Sequence, residues 1–181
     1  MFEYGAYVNP NYLQYSGSTQ KNRYPKIIQS AVTLKPSAKR LLSFGSSTGE
    51  EVFTLAENFP KAKEIVGVEI DTYRVQQARR SNNDPRVHFH DTLGALGKFD
   101  LALALNVFFR IDGNIDKKIW EKTLKELSEH ISPGGILMIF KSEHDIDEVL
   151  GRKFKPINVW THIHNRNGKE LYCGYYRRKY F

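Results

Sequence analysis

Leu41-Leu-Ser-Phe-Gly45-Ser-Ser-Thr-Gly49-Glu-Glu51, followed by Glu64-Ile-Val-Gly-Val-Glu69-Ile-Asp71, is the stretch that decides the fold. Arg40 to Phe44 is a short, nearly continuous apolar run closed by a glycine, the pattern of a strand buried on both faces. Gly45 permits a tight turn and a close backbone approach, and Gly49 lets a helix begin directly against whatever the turn faces. From Gly49 to Asn58 the residues Val52, Leu55 and Ala56 fall on one helical face. Glu64 to Glu69 forms a second strand, and Asp71 or Thr72 caps a further helix that runs to about Ser81. Strand, glycine turn, helix and strand in this order make a right-handed crossover between parallel strands.

The same alternation extends outward. Pro85 breaks the chain before a third strand, Val87 to Asp91, and Asp100 to Asn106 is a fourth, apolar on both faces as a central parallel strand must be. A helix carrying Trp120, Leu124, Leu127 and Ile131 at helical spacing is stopped by Ser132-Pro-Gly-Gly135, and Ile136 to Lys141 is the fifth strand. After a short helix near Ile146 to Leu150, the runs Ile157 to His164 and Glu170 to Tyr176 flank the turn residues Asn165 to Gly168 as an antiparallel hairpin. Ahead of the first strand, Pro25 to Thr33 is a helix with proline in its first turn. The expected fold is α/β, a doubly wound, mainly parallel Rossmann-like sheet ending in a C-terminal antiparallel hairpin. A single domain is expected over residues 1–181, with a cap segment and helix at 1–35, a ligand-binding core at 36–150 and hairpin strands at 151–181. Residues 1–24 show no clear period and are expected either to lie over the carboxyl edge of the sheet or to remain mobile.

A chain of 181 residues is long enough to bury one core without staples. Cys173 is the single cysteine and no apolar leader follows a charged start, so a cytoplasmic location is expected. Apolar runs such as Ile136 to Phe140 are far shorter than the roughly 20 residues that cross a bilayer, so no membrane partner is expected. The net charge of +7 is uneven: residues 1–40 sum to +5, residues 41–150 to −5 and residues 151–181 to +7. Nine of the ten tyrosines lie in the two basic flanks. Two readings follow: rings among cations can stack bases and hold phosphates, or the tyrosines pack the outer strands while the charges are solvated.

In an open parallel sheet the ligand sits beyond the carboxyl ends of the strands, at the point where strand order reverses. The turn Gly45 to Glu50 lies at such an end, and the helix after it offers amides and positive potential to a phosphate or an amino-acid carboxylate. Glu69 ends the second strand, where its two oxygens can accept both hydroxyls of a ribose, so turn and acid together indicate a nucleoside. The dinucleotide pattern requires glycine at its first, third and sixth positions, which here are Gly45, Ser47 and Glu50. No Gly-Lys-Ser/Thr follows the turn, which disfavours a P-loop. Singly, Glu69 can serve as a helix cap, Asp91 as the start of a turn and Asn106 as a backbone partner. Their shared position at consecutive strand ends favours a ligand.

Leu41 to Glu51, Val66 to Asp71, Phe99 to Val107 and Leu127 to Gly135 resemble, in that order, the motifs of class I S-adenosylmethionine-dependent methyltransferases. The resemblance spans roughly residues 25–176. It implies S-adenosylmethionine as cofactor, with Gly45, Ser46, Ser47, Thr48, Gly49 and Glu50 holding the methionine end, Glu69 and Ile70 at the ribose, and Asp91 and Thr92 at the adenine. Asn106, Val107 and Phe108 would border the transferable methyl. The family's middle glycine is Ser47 here, as in the Gly-Cys-Ser-Thr-Gly-Glu-Glu variant of the chemotaxis-receptor methyltransferases. Their separate helical domain and inserted β-subdomain have no counterpart in the sequence, so their protein-glutamate acceptor is not carried over.

Methyl transfer from a sulfonium is an in-line displacement, which asks the protein mainly for alignment and exclusion of water. A base is required only if the acceptor keeps its proton. The loops after the fourth and fifth strands nominate Arg110, Lys141, Glu143 and His144, of which His144 is the best base at neutral pH; Asn106 and His144 are the expected catalytic residues. Asn106-Val-Phe-Phe109 lacks the two prolines common in amino methylation of DNA adenine, and Cys173 is in the wrong region for carbon-5 methylation of cytosine. The pairs His88/His90 and His162/His164 lack the carboxylate or thiol partners of a metal site, so no metal is expected. Two acceptors stay open: RNA, including ribosomal RNA, met by the basic, tyrosine-rich flanks in a salt-dependent way, and a small metabolite, suited to a short chain. A third reading is a non-catalytic cofactor-binding module. Lys21, Arg23 and Lys26 can serve any of these or contact the cofactor carboxylate.

Overall fold

A computed structural model describes residues 13, 17, 19–110, 115–163 and 168–180. In chain order these form α1 (Pro25–Leu34), β1 (Arg40–Phe44), α2 (Glu50–Asn58), β2 (Glu64–Val68), α3 (Thr72–Ser81), β3 (Val87–His90) and β4 (Phe99–Leu105). There follow α4 (Lys117–Glu129), β5 (Ile131–Ser142), α5 (Asp147–Leu150), a 3-10 turn Gly151–Lys153, β6 (Phe154–Ile163) and β7 (Glu170–Arg178). The strands make one sheet in the order β3-β2-β1-β4-β5-β7-β6. The first five are parallel, β7 runs antiparallel to β5, and β6 antiparallel to β7. This is the doubly wound sheet with a terminal hairpin that the alternation of segments predicts.

Burial explains the layers. Leu41, Leu42 and the run Leu101 to Ala104 are fully buried, as central strands covered on both faces must be. On one face they meet α1, α2 and α3 through Ala31, Leu55, Val75 and Ala78. On the other they meet α4 through Trp120, Leu124 and Leu127. Helix starts are set by short acids: the Asp71 carboxylate accepts from the amides of Tyr73 and Arg74 at 2.9 and 3.3 Å, and Asp116 accepts from those of Lys118 and Ile119 at 2.9 and 3.0 Å. Chain order reverses between β1 and β4, which opens a crevice at their carboxyl ends.

Two boundaries differ from the sequence reading. The long helix stops at Glu129, and Ile131, which continues its apolar spacing, instead pairs with Phe99 as the first residue of β5. The next pairing is Ile136 with Leu101, so Ser132 to Gly135 form a bulge within the strand rather than the end of a helix. The hairpin also begins earlier, at Phe154, with a register shift between Pro156 and Asn158. The expected turn residues Asn165 to Asn167 and His164 lie outside the described residues.

The flanking tyrosines divide. Tyr175 and Tyr176 are buried, the first edge-on to Trp160 with ring centroids 5.0 Å apart, and Tyr24 packs edge-on to Phe140 at 5.3 Å. Tyr172 and Tyr180 remain exposed. Among the hairpin cations, Arg178 donates to the carbonyls of Ser128 and Ile131 and, with Lys153, pairs with Glu129. No helix among the described residues is long and apolar enough to cross a membrane.

Candidate active site

The crevice at the carboxyl ends of β1 and β4 is a cavity of about 640 Å³. Its floor is the turn after β1. Gly45 and Gly49 have φ of 77° and 99°, and Ser47 shares the left-handed region at 50°. A Cβ on Gly45 would lie 2.4 Å from Val107 Cγ2, so glycine there lets the turn approach the loop after β4. The amides of Gly45 and Ser46 both donate to the Val68 carbonyl, at 2.8 and 3.0 Å, and that of Ser47 donates to Glu69 Oε2 at 2.9 Å. The turn thus spends these donors inside the protein. Ser46 lines the cavity, and its buried hydroxyl has no hydrogen-bond partner among the described residues.

Glu69, just past β2, is 7% exposed and borders the cavity. Its second oxygen accepts the Asp71 amide at 3.0 Å. Two backbone amides therefore fix the carboxylate, and each oxygen retains accepting capacity for a hydroxyl. Ile70, Asp91 and Thr92 line the adjoining wall and are exposed to it, with Leu93 buried beneath.

Of the residues expected at the methionine end, Gly45, Ser46 and Ser47 line the cavity, whereas Thr48, Gly49 and Glu50 do not. Thr48 turns its hydroxyl onto the Glu50 carboxylate at 2.7 and 2.8 Å, and Gly49 is the N-cap of α2. Glu51 takes their place. It lines the cavity and accepts the Ser43 hydroxyl at 2.8 Å. Burial raises its carboxyl to about 7, with Ser43 and the Arg23 charge opposing the rise. The available signal was Ser43, a hydroxyl inside an otherwise apolar buried strand that requires a partner.

The segment ahead of α1 closes the opposite side. Leu13, Gly17 and most of residues 19–24 line the cavity; the rest of residues 1–18 lies outside the described residues. Ser47 Oγ donates to the Gly17 carbonyl at 2.9 Å and the Asn22 amide to Thr54 Oγ1 at 3.1 Å. Arg23 lies over the Tyr24 ring, 5.3 Å from its centroid. Asn106 has a φ of 61°, donates its amide to the Phe140 carbonyl at 2.9 Å, and donates from Nδ2 to the Tyr24 hydroxyl oxygen. Burial, the largest influence, raises the Tyr24 phenol. Phe109 and Lys141 complete this end of the wall.

His144 does not line the cavity, which corrects its nomination as a base. Ser142 accepts from Trp120 Nε1 at 2.9 Å and donates to the His144 carbonyl at 2.7 Å, clasping the chain after β5 onto α4. The imidazole consequently sits edge-on to Trp120 at 5.1 Å with Nε2 3.3 Å from the Ile115 carbonyl. Glu143 is likewise committed, to the amides of Arg110 and Ile115 and the Lys169 ammonium. No group of three or more potential metal ligands occurs among the described residues.

Residues 17–178 match the family model described as a methyltransferase domain. The chain belongs to this methyltransferase family. A protein of Methanocaldococcus jannaschii named as a protein N5-glutamine methyltransferase is 28% identical over 148 residues, 71% of this chain and 74% of its own. Among solved structures, the N-methyltransferase NodS of Bradyrhizobium japonicum superposes with a TM-score of 0.65 at 14% identity, over 88% of this chain and 99% of its own. An amino pentose methyltransferase of Micromonospora echinaspora, solved with S-adenosylmethionine bound, gives a TM-score of 0.66 at 15% identity, over 90% of this chain and 93% of its own. The chain is a methyltransferase with the fold of the S-adenosylmethionine-dependent enzymes. The cavity fits that donor: a fixed carboxylate for a ribose, and an acid with a cation at one end for an amino acid's ammonium and carboxylate.

Proposed function

We propose that this methyltransferase transfers the methyl group of S-adenosylmethionine to a small-molecule acceptor that enters beside Tyr24, Asn106 and Lys141. The observation that supports it is the single cavity bounded by Gly45 to Ser47, Glu69, Asp91 and Asn106, all at or just past the ends of neighbouring parallel strands. When bound, the donor supplies a methyl group on a sulfonium to an in-line nucleophile, and the carbon–sulfur electron pair leaves with sulfur. Glu69 would hold the ribose hydroxyls, Asp91 and Thr92 would border the adenine, and Glu51 with Arg23 would take the ammonium and carboxylate of the methionine end. Ser47, the residue shared with the chemotaxis-receptor variant of the motif, ties the segment ahead of α1 over the donor through Gly17. Asn106 and Tyr24 would position the acceptor and exclude water, a proximity effect that needs no covalent nucleophile.

RNA loses support because Tyr175 and Tyr176 are spent on packing and Arg178 on carbonyls of the same chain. A protein glutamine side chain is the second reading, favoured by the archaeal relative. Calorimetry with S-adenosylhomocysteine on the wild type and on Glu69→Ala tests the donor assignment. The wild type is expected to bind and the variant to lose at least about tenfold, since a charged group's hydrogen bonds contribute about 1.5–3 kcal/mol. Equal binding by both proteins removes Glu69 from the ribose, and no binding by the wild type ends the proposal.

A further inference from the structure

Lys141 is the penultimate residue of β5 and holds a φ of 68°, in the left-handed region that a side chain seldom adopts. Its amide donates to Cys173 Sγ at 3.4 Å, and its ammonium lies over two rings, 5.3 Å from the centroid of Phe140 and 5.8 Å from that of Phe109. No carboxylate among the described residues pairs with it; the Arg23 guanidinium, a like charge, acts on it and is opposed only in part by Cys173. Burial and Arg23 together hold the amine below lysine's ordinary value. A half-buried cation facing another cation is costly unless an anion joins it.

The charge inventory at this end of the cavity shows where that anion must come from. With the donor placed as above, the Glu51 carboxylate is committed to its ammonium and Arg23 to its carboxylate. The sulfonium would add a further positive charge to the cavity that Asn106 lines. Lys141 is then left with aromatic walls, a second positive centre nearby and open cavity, at the point where the acceptor has to enter. We propose that Lys141 binds the acceptor, and that the acceptor is a small molecule carrying a carboxylate next to the atom that is methylated. The rings of Tyr24 and Phe109, which line the cavity there, suit a planar body behind the carboxylate.

This inference rests on the donor assignment, and its test separates the two. The protein saturated with S-adenosylhomocysteine is titrated with benzoate and salicylate, and with their neutral counterparts benzamide and salicylamide. The acids are expected to bind about tenfold or more tightly than the amides, the worth of one charge-assisted contact. Lys141→Met, which keeps the length of the side chain, should bring acids and amides within about twofold while its affinity for S-adenosylhomocysteine stays that of the wild type, and Lys141→Arg should retain a preference for acids. Acids and amides binding the wild type alike would overturn the proposal. So would an acid preference that survives Lys141→Met, a loss of S-adenosylhomocysteine affinity in that variant, or a single-stranded RNA oligonucleotide as the sole anion whose binding depends on Lys141. If S-adenosylhomocysteine itself fails to bind the wild type, the donor assignment falls and this inference with it.

Discussion

The wall of the cavity proposed to hold the donor comes from residues 45–47, 69 and 91–92, each at the end of one of three adjacent parallel strands. The wall proposed for the acceptor draws on Tyr24 ahead of α1, Asn106 and Phe109 after β4, and Lys141 at the end of β5. The first wall is held by backbone: strand register places the acids, and the amides of residues 45, 46, 47 and 71 fix turn and carboxylate together. The second is held by side chains, through the Tyr24 contacts to Asn106 and Phe140 and the rings beneath Lys141. A wall built from hydrogen-bonded backbone is rigid and suits a ligand common to many enzymes. A wall built from side chains on loops can change one residue at a time without disturbing the sheet, which suits the part that differs between substrates.

The sharpest way to break this contrast is Gly45→Val. The new side chain collides with Val107 and must adopt a φ of 77°, so S-adenosylhomocysteine affinity is expected to fall by roughly a hundredfold or more, the scale of about 3 kcal/mol. Adding Val107→Ala should recover only part of it, because the backbone penalty remains. Undiminished affinity in calorimetry would show that the turn is not the donor's floor.

Glu51 sits where the walls meet, and its titration sharpens the boundary. Its carboxyl is raised from the ordinary 4.5 to about 7 in the folded chain. A raised folded value means the folded state holds the proton more tightly, so this contribution to stability is complete below pH 4.5 and is lost as pH rises through about 7. The difference corresponds to at most about 3 kcal/mol. Denaturation of the free protein should therefore show stability declining between pH 5 and 8, and Glu51→Gln should flatten the decline. The same variant should bind S-adenosylhomocysteine about tenfold more weakly at pH 8, where the native carboxylate is ionised, and about equally at pH 5. A variant that keeps the wild-type slope, or loses affinity equally at both pH values, would place Glu51 outside the methionine end.

The smallest effect is expected from His144→Ala, which tests whether the loop after β5 belongs to either wall. Loss of the edge-on contact with Trp120 should cost about 1 kcal/mol in denaturant unfolding, while S-adenosylhomocysteine affinity stays within about twofold of wild type. A large loss of affinity would restore His144 to the site.

Much of the donor wall was legible before any coordinates. Gly45, Glu69 and Asp91 are local signals: a glycine at a strand end, and acids at the ends of two further strands, whose positions follow once the sheet is parallel. The opposite wall was legible only in part: its position after the fourth and fifth strands nominated Asn106 and Lys141, but Tyr24 is far from both in the chain and has no neighbour whose type reveals it. Glu51 was obscured by its place in the first turn of α2, where an acid is ordinary and complements the helix dipole. Ile131 shows the reverse error: a helical spacing of apolar residues continued by chance into a strand, and pairing with Phe99 outweighed the period.

The sequence by itself determined the order of strands and helices, the two-sided burial of β1 and β4 and the turn at Gly45, because these depend on periodicity and backbone freedom within short spans. Only the tertiary structure decided which side chains face the cavity. It turned Thr48 and Glu50 toward each other, brought Glu51 and Arg23 to one end, clasped His144 onto Trp120 and left Lys141 open to the cavity. Those outcomes depend on how loops cross the end of a twisted sheet and on which partner satisfies each buried polar group, and neither is encoded in local spacing.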